Sequence, residues 1–111
     1  MLNIKKIFYR SIENKEISYK ELSEMIKKKK CILVDVRSSQ EYEEGHLNGA
    51  INIPIYHIKE KIKQIIESTD SLIILYCSSG YRSNQAKAIL ESLGYDNVYT
   101  LKGGIDKIWI R

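Results

Sequence analysis

The sequence predicts an α/β fold in which a parallel sheet is covered by helices on both faces. Two apolar runs point to it, Cys31-Ile32-Leu33-Val34-Asp35-Val36, which ends in a charge, and Leu72-Ile73-Ile74-Leu75-Tyr76. Neither shows the polar alternation of a half-solvated strand, so both read as strands buried on two faces. The second observation is order. Strand-like segments alternate with segments of helical apolar period through short connections, which is the pattern of right-handed crossovers between parallel strands.

Each element has its own signal. Residues 1–15 stand outside the alternation and read as an N-terminal extension, leaving 16–111 as the domain. Ile4, Ile7 and Phe8 share one helical face there, which suits a segment packed on the domain or frayed in solvent. Ser18-Tyr19-Lys20-Glu21 has the form of a capping box, and Leu22, Met25 and Ile26 supply the helical period behind it. Lys27 to Lys30 lie at the C-terminal end of that helix, where cations suit its dipole. After the first buried strand, a short helix over Gln40 to Glu44 is stopped by Gly45. Ala50-Ile51-Asn52-Ile53 is a short strand closed by Pro54. Ile55, Ile58, Ile62, Ile65 and Ile66 mark the core face of the next helix. Cys77 follows the second buried strand directly. Ser83 to Leu93 is a helix with Ala86, Ile89, Leu90 and Leu93 inward and Gly94 as its left-handed stop. Val98-Tyr99-Thr100-Leu101 is a last strand, and Gly103-Gly104 turns it into a short terminal helix anchored by Trp109.

Composition bounds the function. A chain of 111 residues fits one domain, and 43% hydrophobic with 29% charged residues describes a globule with a real core. A net charge of +4 suits a small anionic substrate and is too modest to argue for nucleic acid. No apolar run is long enough to span a bilayer, and the lysine-interrupted start is a poor export signal, so stable membrane insertion is not expected and the expected location is cytoplasmic. Two cysteines form no disulfide framework. Together with two distant histidines they match no zinc spacing, so no metal or other cofactor is expected.

The chemistry concentrates at Cys77-Ser78-Ser79-Gly80-Tyr81-Arg82. The thiolate, not the thiol, is the nucleophilic form of cysteine. A buried strand delivers Cys77 to the carboxyl edge of the sheet, where α/β folds gather functional groups. A small-residue loop that wraps the sulfur offers backbone amides as a nest, and the following helix adds the positive end of its dipole. Arg82 adds a full charge. This arrangement favours a nucleophilic thiolate and an anionic substrate without a histidine base. Cys31, at the start of a strand and without such a loop, reads as packing.

These residues resemble those of the rhodanese-like domains. The resemblance runs from about Ile17 to Trp109. It rests on Asp35-Val36-Arg37, on the stretch from Glu41 to Pro54 that includes Gly45-His46-Leu47-Asn48-Gly49-Ala50, on Tyr76 to Ser83, and on Leu101-Lys102-Gly103-Gly104-Ile105 with Trp109. It implies a rhodanese-like three-layer α/β/α fold with a five-stranded parallel sheet. It also implies a sulfurtransferase cycle in which Cys77 takes a sulfane sulfur from a donor such as thiosulfate and passes it from a persulfide to an acceptor. The implied substrate-binding residues are Ser78, Ser79, Gly80, Tyr81 and Arg82, with Asp35, Arg37 and Ser83 as loop support. The implied partners are a small anionic sulfur donor and a thiol, cyanide or protein acceptor, with the chain a monomer.

Several residues have plainer readings. Arg37 is expected to pair with Glu41 or Glu43 and hold the loop. His46 reads as a hydrogen-bonded turn residue, His57 as solvated, and Tyr81 as lining the pocket mouth or shielding the loop. Two other functions compete: a non-catalytic binding module, against which an intact Cys77 and Arg82 argue, and a cysteine phosphatase. Four residues separate Cys77 from Arg82. In the resembling family that length goes with sulfur transfer, whereas related phosphatases have one residue more.

Overall fold

The computed structural model of the chain describes residues 15–108. The readings made for residues 1–14, and for Trp109 as an anchor, lie outside the described residues. Five strands form one parallel sheet: β1 (Glu16–Ile17), β2 (Ile32–Asp35), β3 (Ile51–Asn52), β4 (Ile73–Tyr76) and β5 (Val98–Leu101), in the order β1-β5-β4-β2-β3. Helices α1 (Tyr19–Lys27), α2 (Ser39–Glu44), α3 (Ile55–Ile65) and α4 (Tyr81–Ser92) connect them, and a 3-10 turn (Ile105–Lys107) follows β5.

The two apolar runs become β2 and β4 at the middle of the sheet, paired in register from Ile32 with Ile73 to Asp35 with Tyr76. Side chains alternate between faces along each strand. Val34, Ile73 and Leu75 enter one core with Ile58 and Ile62 of α3 and Ala86 and Leu90 of α4. Leu33, Ile74 and Tyr76 enter the other with Leu22 and Met25 of α1, while Tyr42 of α2 packs against it. Each fully buried isoleucine contributes roughly 1.5–3 kcal/mol by leaving water. The chain leaves β2 toward β3 on one side and leaves β4 toward β5 on the other. The gap between the carboxyl ends of β2 and β4 is therefore the topological switch point, where α/β sheets hold ligands.

Capping follows the sequence. Both halves of the Ser18–Glu21 capping box form at α1. A second box, Ser38 with Glu41, opens α2 from the same S-x-x-E signal at 38–41. Gly94 closes α4 with φ +100°, the left-handed stop expected there.

The two-residue β1 pairs with β5 through Glu16 with Thr100 and Ile17 with Leu101 and completes the five-stranded parallel sheet that the resemblance implies, although no apolar run announces it. Two expectations need correction. Ile65 is not on the core face of α3. It is 48% exposed, because Ile58 and Ile62 take the buried stripe and the chain turns Ile66 inward only after the helix ends. Ile26 of α1 is likewise exposed, leaving Leu22 and Met25 as the buried pair. Among the described residues no helix is long and apolar enough to cross a membrane.

Candidate active site

Cys77 extends the alternation of Ile73 and Leu75, so its side chain enters the α3/α4 face of the sheet. It is almost fully buried. Its Sγ accepts the amide hydrogens of Gly80 at 3.1 Å and Ser83 at 3.3 Å. The thiol lies 3.6 Å from Ser83 Oγ, and that hydroxyl donates to the Gly80 carbonyl at 3.1 Å. Gly80, with φ +110°, gives the loop the left-handed step that starts α4. The first-turn amides of a helix have no acceptor inside it, so α4 supplies its free donors on the side of the sulfur.

The loop is held from behind by the segment that the sequence reads as a short helix after Gly103-Gly104 and that folds as the 3-10 turn Ile105–Lys107. The amides of Ile105 and Asp106 donate to the carbonyls of Cys77 at 3.0 Å and Ser78 at 2.9 Å. Those carbonyls therefore face away from the sulfur. Gly104 permits the approach: a Cβ there would lie 2.2 Å from the Ser78 oxygen and 2.7 Å from the Cys77 oxygen. The adjacent glycines immediately after a buried strand were the available signal.

Arg82 does not present an open charge. Its Nη1 and Nη2 donate to Glu41 Oε1 and Oε2 at 2.7 and 3.0 Å, and Nη2 also lies 3.4 Å from Ser78 Oγ. Hydrogen bonding to Arg82 holds the Glu41 carboxyl down at about 2, and the same bond raises Arg82 above its ordinary value. The expected pairing of Arg37 with Glu41 or Glu43 is thus overturned, because Arg82 of α4 occupies Glu41 across the switch point.

Arg37 pairs instead with Asp35. Its Nε lies 3.1 Å from both carboxylate oxygens, and its Nη2 donates to Oδ2 at 2.8 Å and to the Gly45 carbonyl at 2.6 Å. Burial opposes the Arg37 charge, and the Asp35 carboxylate more than offsets that. Tyr76 completes the network. Its hydroxyl accepts the Leu47 amide at 3.0 Å, and its ring lies under the Arg37 guanidinium. Burial pushes the Tyr76 phenol up, and a hydrogen bond to Asp35 adds to this. This network sits on the Tyr76 face of the sheet, opposite the Cys77 side chain. Arg37 braces the loop after α2 through the Gly45 carbonyl and Tyr76 braces it through the Leu47 amide, while Asp35 holds Arg37 from the strand end. Removing either partner leaves a buried charge uncompensated, at a cost of about 3–5 kcal/mol.

The remaining residues fall as follows. Ser83 is buried beside the sulfur, and Ser78 is half-buried under Arg82. Ser79 is exposed, and Tyr81 is 71% exposed at the loop rim. His46 stacks on Tyr42 and its Nδ1 contacts the Tyr42 carbonyl at 2.8 Å, the turn role expected of it. His57 is exposed. Cys31 is half-buried at the opposite end of β2, in the wall of a cavity of about 300 Å³, and burial pushes its thiol up.

The Rhodanese-like domain family matches residues 18–110, most of the chain. The chain belongs to the rhodanese-like domain family. Two curated relatives and one solved structure give the range. The thiosulfate sulfurtransferase PspE of Escherichia coli is 39% identical over 70 residues, which cover 63% of this chain and 67% of PspE. The tRNA uridine(34) hydroxylase of Buchnera aphidicola is 37% identical over 95 residues, covering 82% of this chain and only 30% of the hydroxylase. This chain therefore spans about a third of that longer relative. A rhodanese-related protein of Thermoplasma volcanium superposes with a TM-score of 0.74 at 33% identity, over 84% of this chain and 88% of that one.

Proposed function

We propose that this rhodanese-like domain is a sulfurtransferase that moves a sulfane sulfur through a persulfide on Cys77. The observation that carries the reading is the sulfur itself: buried at the end of the central strand and accepting the amide hydrogens of Gly80 and Ser83. With thiosulfate as donor, the Cys77 thiolate attacks the outer sulfur, a new S–S bond forms, the old one breaks, and sulfite leaves with its electron pair. The amides of Gly80 and Ser83 then face a persulfide, which is also anionic, so one cradle serves both states. A thiophilic acceptor, cyanide or a thiol, attacks the terminal sulfur and returns the thiolate. Sulfur passes between nucleophiles with no net change in electrons, so the cycle calls for no metal or redox cofactor. The PspE likeness supports this chemistry, and the shared domain alone carries nothing of the hydroxylase named above.

The reading is tested by intact mass. Incubation with thiosulfate is expected to add one sulfur atom, removable by cyanide with release of thiocyanate, and Cys77→Ser is expected to add none. An unchanged mass with every sulfane donor sinks the proposal.

A further inference from the structure

Arg82 is the only cation between Cys77 and Ser83. It is spent on Glu41: both terminal nitrogens of the guanidinium meet the two carboxylate oxygens, and the pair is charge-neutral. Ser78, Ser79 and Tyr81 are neutral, so the loop offers a donor its amides and no uncompensated charge. Carbon surface is present instead. Tyr81, at the first position of α4, is 71% exposed, and Tyr56, near the start of α3, is 80% exposed and within electrostatic reach of Arg82. A small dianion needs an uncompensated cation in its site, whereas a donor with an organic body and one terminal charge is served by amides beside carbon surface.

We propose that Glu41 is a specificity residue which, by neutralising Arg82, sets the site for organic persulfides, R–S–S⁻, in preference to the dianion thiosulfate. This rests on the sulfur-transfer reading above and narrows its donor. The step balances. The Cys77 thiolate attacks the terminal sulfur of R–S–S⁻, a new S–S bond forms as the donor's own S–S bond breaks, and R–S⁻ leaves with the electron pair of that bond. Cys77 then carries the terminal sulfur as a persulfide anion, with charge and electrons conserved. Tyr56 and Tyr81 meet the R group at the rim, and the Gly80 and Ser83 amides meet the sulfur.

The test compares kcat/KM for thiosulfate with kcat/KM for cysteine persulfide generated in situ, both with cyanide as acceptor. Glu41→Gln keeps the capping box, since glutamine serves there as well as glutamate, and removes the charge on Arg82's partner. The thiosulfate-to-persulfide ratio is expected to rise about tenfold in Glu41→Gln, and to fall back when Arg82→Gln is added. An unchanged ratio in folded Glu41→Gln, or a rise that survives Arg82→Gln, overturns the proposal. A second measurement needs no variant: kcat/KM for thiosulfate in the native chain is expected to vary little between low and physiological ionic strength. A steep fall reveals an uncompensated cationic site and also overturns it. Failure of sulfur transfer altogether is a separate result, seen as no turnover of either donor by the native chain.

Discussion

Cys77 and Cys31 carry the same side chain in opposite surroundings. Cys77 Sγ accepts two amide hydrogens, whereas burial without such donors pushes the Cys31 thiol up. Cys77→Ser is therefore expected to abolish thiocyanate release and Cys31→Ser to preserve it; equal loss in two folded variants defeats the assignment. Two glycines separate strain from collision in the same way. At Gly80 an added Cβ meets nothing within 4 Å, so Gly80→Ala costs only the left-handed backbone, about 1–2 kcal/mol. At Gly104 the Cβ strikes two loop carbonyls, and its φ is +69°. Gly104→Ala is expected to lose most turnover and to be the less stable of the two by chemical denaturation. The reverse order discredits the backing role given to residues 104–106.

The cysteine loop joins β4 to α4, and its size fixes what fits inside. A persulfide adds a single terminal sulfur, which the Gly80 and Ser83 amides can meet at the distances seen for Sγ. A phosphoryl group brings several oxygens that must sit among donors during in-line attack, so it needs a wider ring. Negligible turnover of aryl phosphates is expected, and inserting one glycine beside Gly80 is expected to weaken sulfur transfer. Robust phosphatase activity in the unaltered chain, lost in Cys77→Ser, would falsify this. Sequence showed the length of this loop and the strand that feeds it. It showed a short helix after Gly103-Gly104 but not that this segment backs the loop, because Ile105 and Asp106 act through their amides, which every residue has. Nor did it show β1, since two residues on a sheet edge make no pattern.

Across the molecule, the Glu41–Arg82 bridge ties α2 to α4 over the gap between β2 and β4, with side chains about a third exposed. Such a pair contributes about 1 kcal/mol or less, solvent screening most of the attraction. The sign with pH follows from Glu41. Its carboxyl is held at about 2 in the folded chain against an ordinary 4.5, so the bridge stabilises fully above about 4.5 and is lost as pH falls toward 2. Denaturation of the native chain and Glu41→Gln at a series of pH values is expected to show a stability gap that closes across that window. A gap of constant size means that Glu41 stabilises by packing or capping and not by charge.

The parallel α/β architecture is legible in the residues alone, because unbroken apolar runs bury on two faces only inside such a sheet. The sequence also singled out Cys77, because a small-residue loop between a buried strand and a helix has a recognisable local form. Partners were another matter. Glu41 lies four residues from Arg37 and forty-one from Arg82, yet it binds the distant arginine, while Arg37 turns back to Asp35. Arg37 follows the strand alternation onto the Tyr76 face, and Arg82 comes off α4 facing α2 across the switch point. Which charge meets which depends on the faces and crossovers of the assembled sheet, and the packing of α2 against α4 is what neutralises Arg82.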